Sequence, residues 1–171
     1  MAIAYLGLGG NLGDRLDKLR AALKGLADVG RLVAVSPVYE TAPWGDLDQP
    51  PYLNICCALE TILDPFALLA HVKDLECGIG RRATRHWGPR EIDIDILCYE
   101  QMHIATPILT VPHSHIAERA FVLAPLADIA PDLLIPGLES TVSALLAALP
   151  DVDASVYRIG ESAHIVPMTG E

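Results

Sequence analysis

The segment Glu91-Ile92-Asp93-Ile94-Asp95-Ile96 alternates apolar and charged side chains without a break. A period of two belongs to a β-strand, because successive side chains leave a strand on opposite faces. Ile92, Ile94 and Ile96 are therefore expected to turn to a core, and Asp93 and Asp95 to turn together to the other face. Neighbouring carboxylates repel, and aspartate is a poor strand former, so the pattern asks for a reason. A hard divalent cation such as Mg²⁺, held between or beside the two carboxylates, supplies one. Mg²⁺ also shares its shell with substrate phosphates. A solvated strand face carrying two charges is the plainer alternative.

Just upstream, Arg81, Arg82, Arg85 and Arg90 bring together four of the chain's 12 basic residues. The whole chain has a net charge of −10, from 22 acidic and 12 basic residues. Its overall field repels polyanions, so arginines gathered beside a carboxylate pair point to a bound polyphosphate. A basic loop that pairs with nearby acids is the other reading. The same charge balance argues against a general nucleic-acid binder. Trp87-Gly88-Pro89 lies inside the cluster, where the indole would either stack on a flat ligand or anchor the loop.

Length and composition bound the rest. A chain of 171 residues with 51% apolar content buries a real core, and one domain spanning residues 1–171 is expected. No apolar run approaches the ~18 residues needed to cross a membrane. The opening residues lack a basic stretch and read as a first strand rather than a signal peptide. Cys56, Cys57, Cys77 and Cys98 form no C-x-x-C pair or zinc-ligand spacing, and read as free thiols in a reducing cytoplasm.

The periodicities predict a strand over 2–8 and an amphipathic helix over 14–29, with Leu16, Leu19, Leu23 and Leu26 on one side. Residues 32–41 read as one extended run, 42–51 as a proline-rich loop and 52–63 as a strand. Asp64-Pro65 caps a second helix that carries Leu68, Leu69, Val72 and Leu75 and stops near Gly78. A polar loop over 79–91 precedes the strand at 92–98. A short helix is expected at 114–120 and a last helix over 140–149; the tail from Asp151 gives little signal. Strand–helix–strand–strand–helix–strand is the order of a ferredoxin-like α+β sandwich, a mostly antiparallel sheet with helices on one face.

Three weaker motifs complete the reading. Gly7, Gly9, Gly10 and Gly13 do not fit the dinucleotide pattern G-x-G-x-x-G, since Leu12 takes its last position. They serve either a tight turn or close approach to a ligand, and Asn11 would brace neighbouring loops through its amide. Tyr52 and Asn54 share a strand face, a ring and an amide suited to reading a hydrogen-bonding heterocycle. His113 and His115 lack a third local ligand for zinc, so phosphate contact or structural hydrogen bonding is expected of them.

Together these residues resemble a known family. Arg85-His86-Trp87-Gly88-Pro89-Arg90-Glu91-Ile92-Asp93-Ile94-Asp95-Ile96 is similar to the W-G-P-R-x-x-D-x-D-[IL] signature of the 6-hydroxymethyl-7,8-dihydropterin pyrophosphokinases of folate biosynthesis. Gly9-Gly10-Asn11-Leu12-Gly13, Glu40-Thr41-Ala42-Pro43-Trp44-Gly45, Asp48-Gln49-Pro50 with Tyr52-Leu53-Asn54, and Val111-Pro112-His113 with Glu118-Arg119-Ala120-Phe121 follow in the family's order.

The resemblance implies a ferredoxin-like fold and transfer of pyrophosphate from ATP, the co-substrate, to the pterin's hydroxymethyl oxygen, releasing AMP. It implies two Mg²⁺ ions on Asp93 and Asp95, and catalytic contacts from Arg81 and Arg90. Lys73, Glu76, Arg82, Arg85, Ile96, Thr110, His113 and Arg119 would lie with these arginines around ATP. Thr41, Ala42, Trp44, Tyr52, Asn54, Trp87 and Phe121 would hold the pterin. The family often has a second arginine where Ala83 stands, which leaves Arg82 or Arg85 to make that contact. The implied partners are small molecules, not nucleic acid or membrane. A cytoplasmic monomer is the simplest expectation, with an oligomer left open. Two rival readings are a Mg²⁺-dependent nucleotide pyrophosphohydrolase and an RNA-binding module on the same sheet. The latter is disfavoured by 5% aromatic content and the acidic balance.

Overall fold

The structure, a computed structural model, describes residues 1–43, 47–86, 88–152 and 156–161. In chain order its strands are β1 (Ala2–Gly10), β2 (Gly30–Val35), β3 (Val38–Thr41), β4 (Tyr52–Thr61), β5 (Asp93–Tyr99), β6 (Ile104–Ala105), β7 (Thr110–Val111), β8 (Leu134–Ile135), β9 (Ser140–Thr141) and β10 (Val156–Gly160). Its α-helices are α1 (Arg15–Ala27), α2 (Pro65–Ile79), α3 (Ala120–Ile129) and α4 (Val142–Ala148). The main sheet runs β10–β3–β4–β1–β5 and also takes in β2, which pairs with β4; each of these pairings is antiparallel. The order is that of a ferredoxin-like α+β sandwich.

Both leading helices start at a capping aspartate, of which the sequence reading named Asp64. The Asp14 carboxylate accepts the Asp17 N–H at 3.0 Å. The Asp64 carboxylate accepts those of Phe66 and Ala67, with Pro65 opening α2. The α2 stop falls at Gly80, whose φ of 115° suits only a residue without a Cβ. There the Arg81 N–H reaches back to the Glu76 carbonyl at 3.0 Å. Leu19, Leu23 and Leu26 of α1 and Leu68 and Val72 of α2 bury against Leu6, Leu8, Ile55, Leu59, Ile94 and Ile96.

The structure corrects three expectations. The extended run over 32–41 is two strands. Ser36 and Pro37 interrupt it, and the Ser36 hydroxyl accepts the Cys56 N–H at 2.9 Å in place of a ladder bond. Helices also cover both faces, not one. The far face carries α3 and α4 on Cys56, Leu97 and Cys98. The expected short helix over 114–120 is a 3₁₀ turn (Ile116–Glu118) followed by the full-length α3. That helix escapes a periodicity search because its sequence AFVLAPLADI is apolar on nearly every side, as a helix packed between sheet and α4 can be. Finally β10, in the tail, pairs with β3 at the sheet edge.

The second layer also depends on a bulge. Tyr5 faces Cys98 and Leu6 faces Ile96, so Leu97 is an extra residue that turns into the α3 layer. Among the described residues no helix is long and apolar enough to cross a membrane. If the α3 layer is integral to the fold, Leu123→Ala should cost about 2–5 kcal/mol, since this side chain is fully buried. Urea unfolding should show a lower midpoint with an unchanged slope.

Candidate active site

The site grows out of register. Gly7 of β1 lies opposite Cys56 of β4 and Asp95 of β5, and Gly9 lies opposite Asn54 and Asp93. Paired residues point to the same face. A floor without side chains therefore runs between a polar amide and two carboxylates. Gly9 has no room for more: a Cβ there would stand 2.3 Å from the Asn54 Oδ1. Gly9 is thus required by the Asn54 amide packed against it inside the strand, whereas Gly13, with a φ of 71°, serves the turn into α1.

Above this floor lies an apolar pocket. Thr41, Ala42, Tyr52, Asn54, Cys56, Phe121 and Val122 line it. Thr41 and Asn54 are buried, and the Asn54 amide donates to the Thr41 hydroxyl at 2.7 Å, which fixes the amide's orientation. The guanidinium of Arg119 lies 5.5 Å from the centre of the Phe121 ring. Beside the pocket opens a polar cleft bordered by Lys73, Glu76, Arg81, Arg82, Arg85 and His113, together with Cys77 and His86. Pocket and cleft share four residues: Arg90, Asp93, Asp95 and Arg119.

Loops meet at the rim through Asn11. Its amide donates to the Gln49 side chain and the Pro50 carbonyl, both at 2.9 Å, and its Oδ1 accepts the Arg90 N–H at 2.9 Å. The Tyr52 hydroxyl reaches the Gly88 carbonyl at 3.2 Å. The bracing role read for Asn11 is what the geometry displays.

The two aspartates sit in unlike environments. Arg81 holds one oxygen of Asp93 at 2.6 Å and Arg90 holds the other at 3.0 Å. Burial, with the Asp93 charge adding to it, pushes the Asp95 carboxyl from 3.8 up to about 7. The ring of His113 stands 3.8 Å from Asp95 but does not neutralise it, because burial and then Arg119 lower its pKa to about 4. The His113 Nδ1 accepts the His115 N–H at 3.2 Å, which assigns the ring proton to Nε2, on the Asp95 side.

This donor set fits a divalent cation of limited protein ligation. Among the described residues no group of three or more His, Cys, Asp or Glu side chains is placed to hold a metal ion by itself. Two carboxylates leave most of an octahedral shell to water and phosphate, as Mg²⁺ prefers.

Two expected ATP residues lie elsewhere. Ile96 is in the core under α1 and α2, because its strand position turns it away from the aspartates. Thr110 is exposed on β7, paired with Ala105 of β6. Neither lines the pocket or the cleft. Trp44 and Trp87 fall outside the described residues. Cys56 was missed, although its place two residues after Asn54 on one strand was the available signal. Val122 carried none, since it depends on α3.

Residues 5–131 match the family model described as 7,8-dihydro-6-hydroxymethylpterin-pyrophosphokinase (HPPK). The chain is 48% identical over 151 residues to the 2-amino-4-hydroxy-6-hydroxymethyldihydropteridine pyrophosphokinase of Methylorubrum extorquens, covering 87% of this chain and 94% of that protein. It is 44% identical over 148 residues to the protein of the same name from Pseudomonas aeruginosa, covering 85% and 91%. Folic acid synthesis protein fol1 of Schizosaccharomyces pombe is 38% identical over 166 residues, which are 96% of this chain but 23% of that longer protein. The wild-type Plasmodium falciparum HPPK-DHPS crystal structure with pteroate superposes with a TM-score of 0.70 at 16% identity, over 85% of this chain and 44% of that one. The chain thus spans less than half of that solved structure, and the likeness to it is one of fold. With relatives at 44–48% identity over most of their own length, and a family model covering residues 5–131, the chain belongs to the 7,8-dihydro-6-hydroxymethylpterin-pyrophosphokinase family.

Proposed function

We propose that this protein moves the pyrophosphoryl group of ATP onto the hydroxymethyl oxygen of 6-hydroxymethyl-7,8-dihydropterin, giving the pterin diphosphate and AMP for folate biosynthesis. One observation carries the reading. A pocket suited to a flat heterocycle and a cleft suited to a polyphosphate meet at Arg90, Asp93, Asp95 and Arg119. Their junction is where an acceptor oxygen and a transferred phosphate have to meet.

The pterin would lie over Gly7 and Gly9. Asn54, oriented by Thr41, would face its polar edge, and Phe121 one of its faces. The polyphosphate would lie along the cleft, drawn by Arg81, Arg82, Arg85, Arg90 and Arg119. Lys73 would neutralise it further, and the Nε2–H of His113 would donate to it. Mg²⁺ held by Asp93 and Asp95 would offset the charge that develops as the α–β bond breaks. Holding the two reactants in line, with water kept away from the acceptor, accounts for catalysis without a dedicated side-chain base.

The test is incubation with Mg-ATP, with and without the pterin. AMP that appears only with pterin supports the reading; ADP, or AMP formed without pterin, overturns it. Asp93→Asn and Asp95→Asn should each lower turnover by roughly a thousandfold, about 4 kcal/mol in the transition state. Their circular dichroism should match that of the parent protein. Near-normal turnover in either folded variant would remove the cation from these residues.

A pH dependence follows from Asp95. Its carboxyl is raised from 3.8 to about 7, so its contribution to the free protein's stability is present at low pH and lost as pH rises through 7. A cation has to displace that proton below pH 7. The thermal stabilisation by Mg²⁺ with a non-hydrolysable ATP analogue should therefore grow from pH 6 to pH 8, as scanning fluorimetry can follow. A flat response over that range would mean that Asp95 does not hold the cation.

A further inference from the structure

Glu76 was expected beside the nucleotide, but its polar atoms are occupied by the protein itself. It is only 2% exposed, near the end of α2. Its Oε1 accepts the N–H of Ile94 at 2.7 Å. Ile94 is the residue between Asp93 and Asp95, and β5 is the edge strand of the sheet, so this amide points outward from the ladder. The same Oε1 lies 3.1 Å from the Nη1 of Arg81, and the backbone carbonyl of Glu76 accepts the Arg81 N–H at 3.0 Å. Arg81 is thus held at both its ends by one residue. Lys73 stands 3.4 Å from the carboxylate and balances its charge further.

From this arrangement we infer that Glu76 is a positioning residue of the centre: it clamps the β5 backbone between the two aspartates and keeps Arg81 at the cleft when a cation takes Asp93. The inference rests on the function proposed above. The physical need is specific. In the free protein the Nη1 of Arg81 is shared between Glu76 and Asp93, at 3.1 and 2.6 Å. A cation on Asp93 has to displace that guanidinium. Without a second carboxylate the displaced arginine would have no fixed counter-ion and would leave the cleft wall with a large entropy gain. With Glu76 it swings about a retained contact and stays near the phosphates. The clamp on the Ile94 amide acts on the other partner. It fixes the edge strand's twist at that point, and hence the separation of the two carboxylates that have to grip one centre.

Two variants separate these roles from simple support of the fold. Glu76→Gln keeps an acceptor for the Ile94 amide but removes the charge that retains Arg81. Glu76→Ala removes both. The probe is Mn²⁺, titrated by electron paramagnetic resonance in the presence of a non-hydrolysable ATP analogue, beside kcat and pterin affinity. Glu76→Ala should weaken Mn²⁺ at least tenfold and lower kcat at least a hundredfold, with pterin affinity changed less than twofold. Glu76→Gln should recover Mn²⁺ affinity to within about threefold while kcat stays at least tenfold low. A merely structural residue would lower the melting temperature and leave Mn²⁺ affinity and kcat at parental values below it. That result in either folded variant overturns the inference. If Glu76→Ala does not fold, parental Mn²⁺ affinity together with parental kcat in Glu76→Gln overturns it alone. Absence of pterin-dependent AMP in the parent protein would instead remove the proposed function, and the Mn²⁺ titration would still decide whether Glu76 positions the carboxylates.

Discussion

Strand β1 is hydrogen-bonded along both edges, and the whole site is referred to its register. Because β4 and β5 both pair with β1, Asn54 and Asp93 are brought level across Gly9, and Cys56 and Asp95 across Gly7. A one-residue slip in either ladder would send its polar set to the face under α1 and α2 and its aliphatic set to the site. The register is held by burial. Ala4, Leu6 and Leu8 alternate with these glycines and are locked under α1 and α2. The packing that stabilises the domain is also what aligns the two halves of the centre.

Charge is managed by asymmetry within that frame. Asp93 is gripped by two arginines, whereas Asp95 faces a neutral histidine ring and a neighbouring negative charge. One carboxylate is therefore paired directly with two guanidinium groups, and the other feels the Arg119 and Lys73 charges without such a pair of contacts. A polyanion entering the cleft would draw the arginines, and a cation travelling with it would answer both aspartates. The acidic chain has few cations to spare, which makes their gathering on one cleft wall meaningful.

The far layer has a different function. Helix α3 covers the sheet face opposite α1 and α2, and its first turn supplies Phe121 and Val122 to the pocket wall. Arg119, just before it, borders both pocket and cleft. The Leu97 bulge belongs to the same arrangement. It turns an extra apolar residue into this layer where the aspartate-bearing end of β5 gives way to core.

Much of this was legible in the chain itself. The alternation over Glu91–Ile96 dictated a strand with two aspartates on one face, the helix cap at Asp64 fell where it stands, and the arginines lay where cleft walls form. Local rules suffice there, because strand periodicity, capping and charge act over a few residues. The sequence alone did not show that Ser36 and Pro37 divide one extended run, since that break is made by a bond to Cys56 some twenty residues away. It did not show α3, whose evenly apolar sequence has no period to detect. It left two accounts of the glycines standing, because only the distance from Gly9 to Asn54 across the ladder excludes a side chain. Above all, the resemblance implied a place for Glu76 near the nucleotide but not its contacts, which the fold makes to the Ile94 amide and Arg81 at the border of the cleft. The sequence by itself determined which residue types face which way along each element. Only the tertiary structure decided which of them meet, because pairing across a sheet joins residues whose separation along the chain carries no local signal.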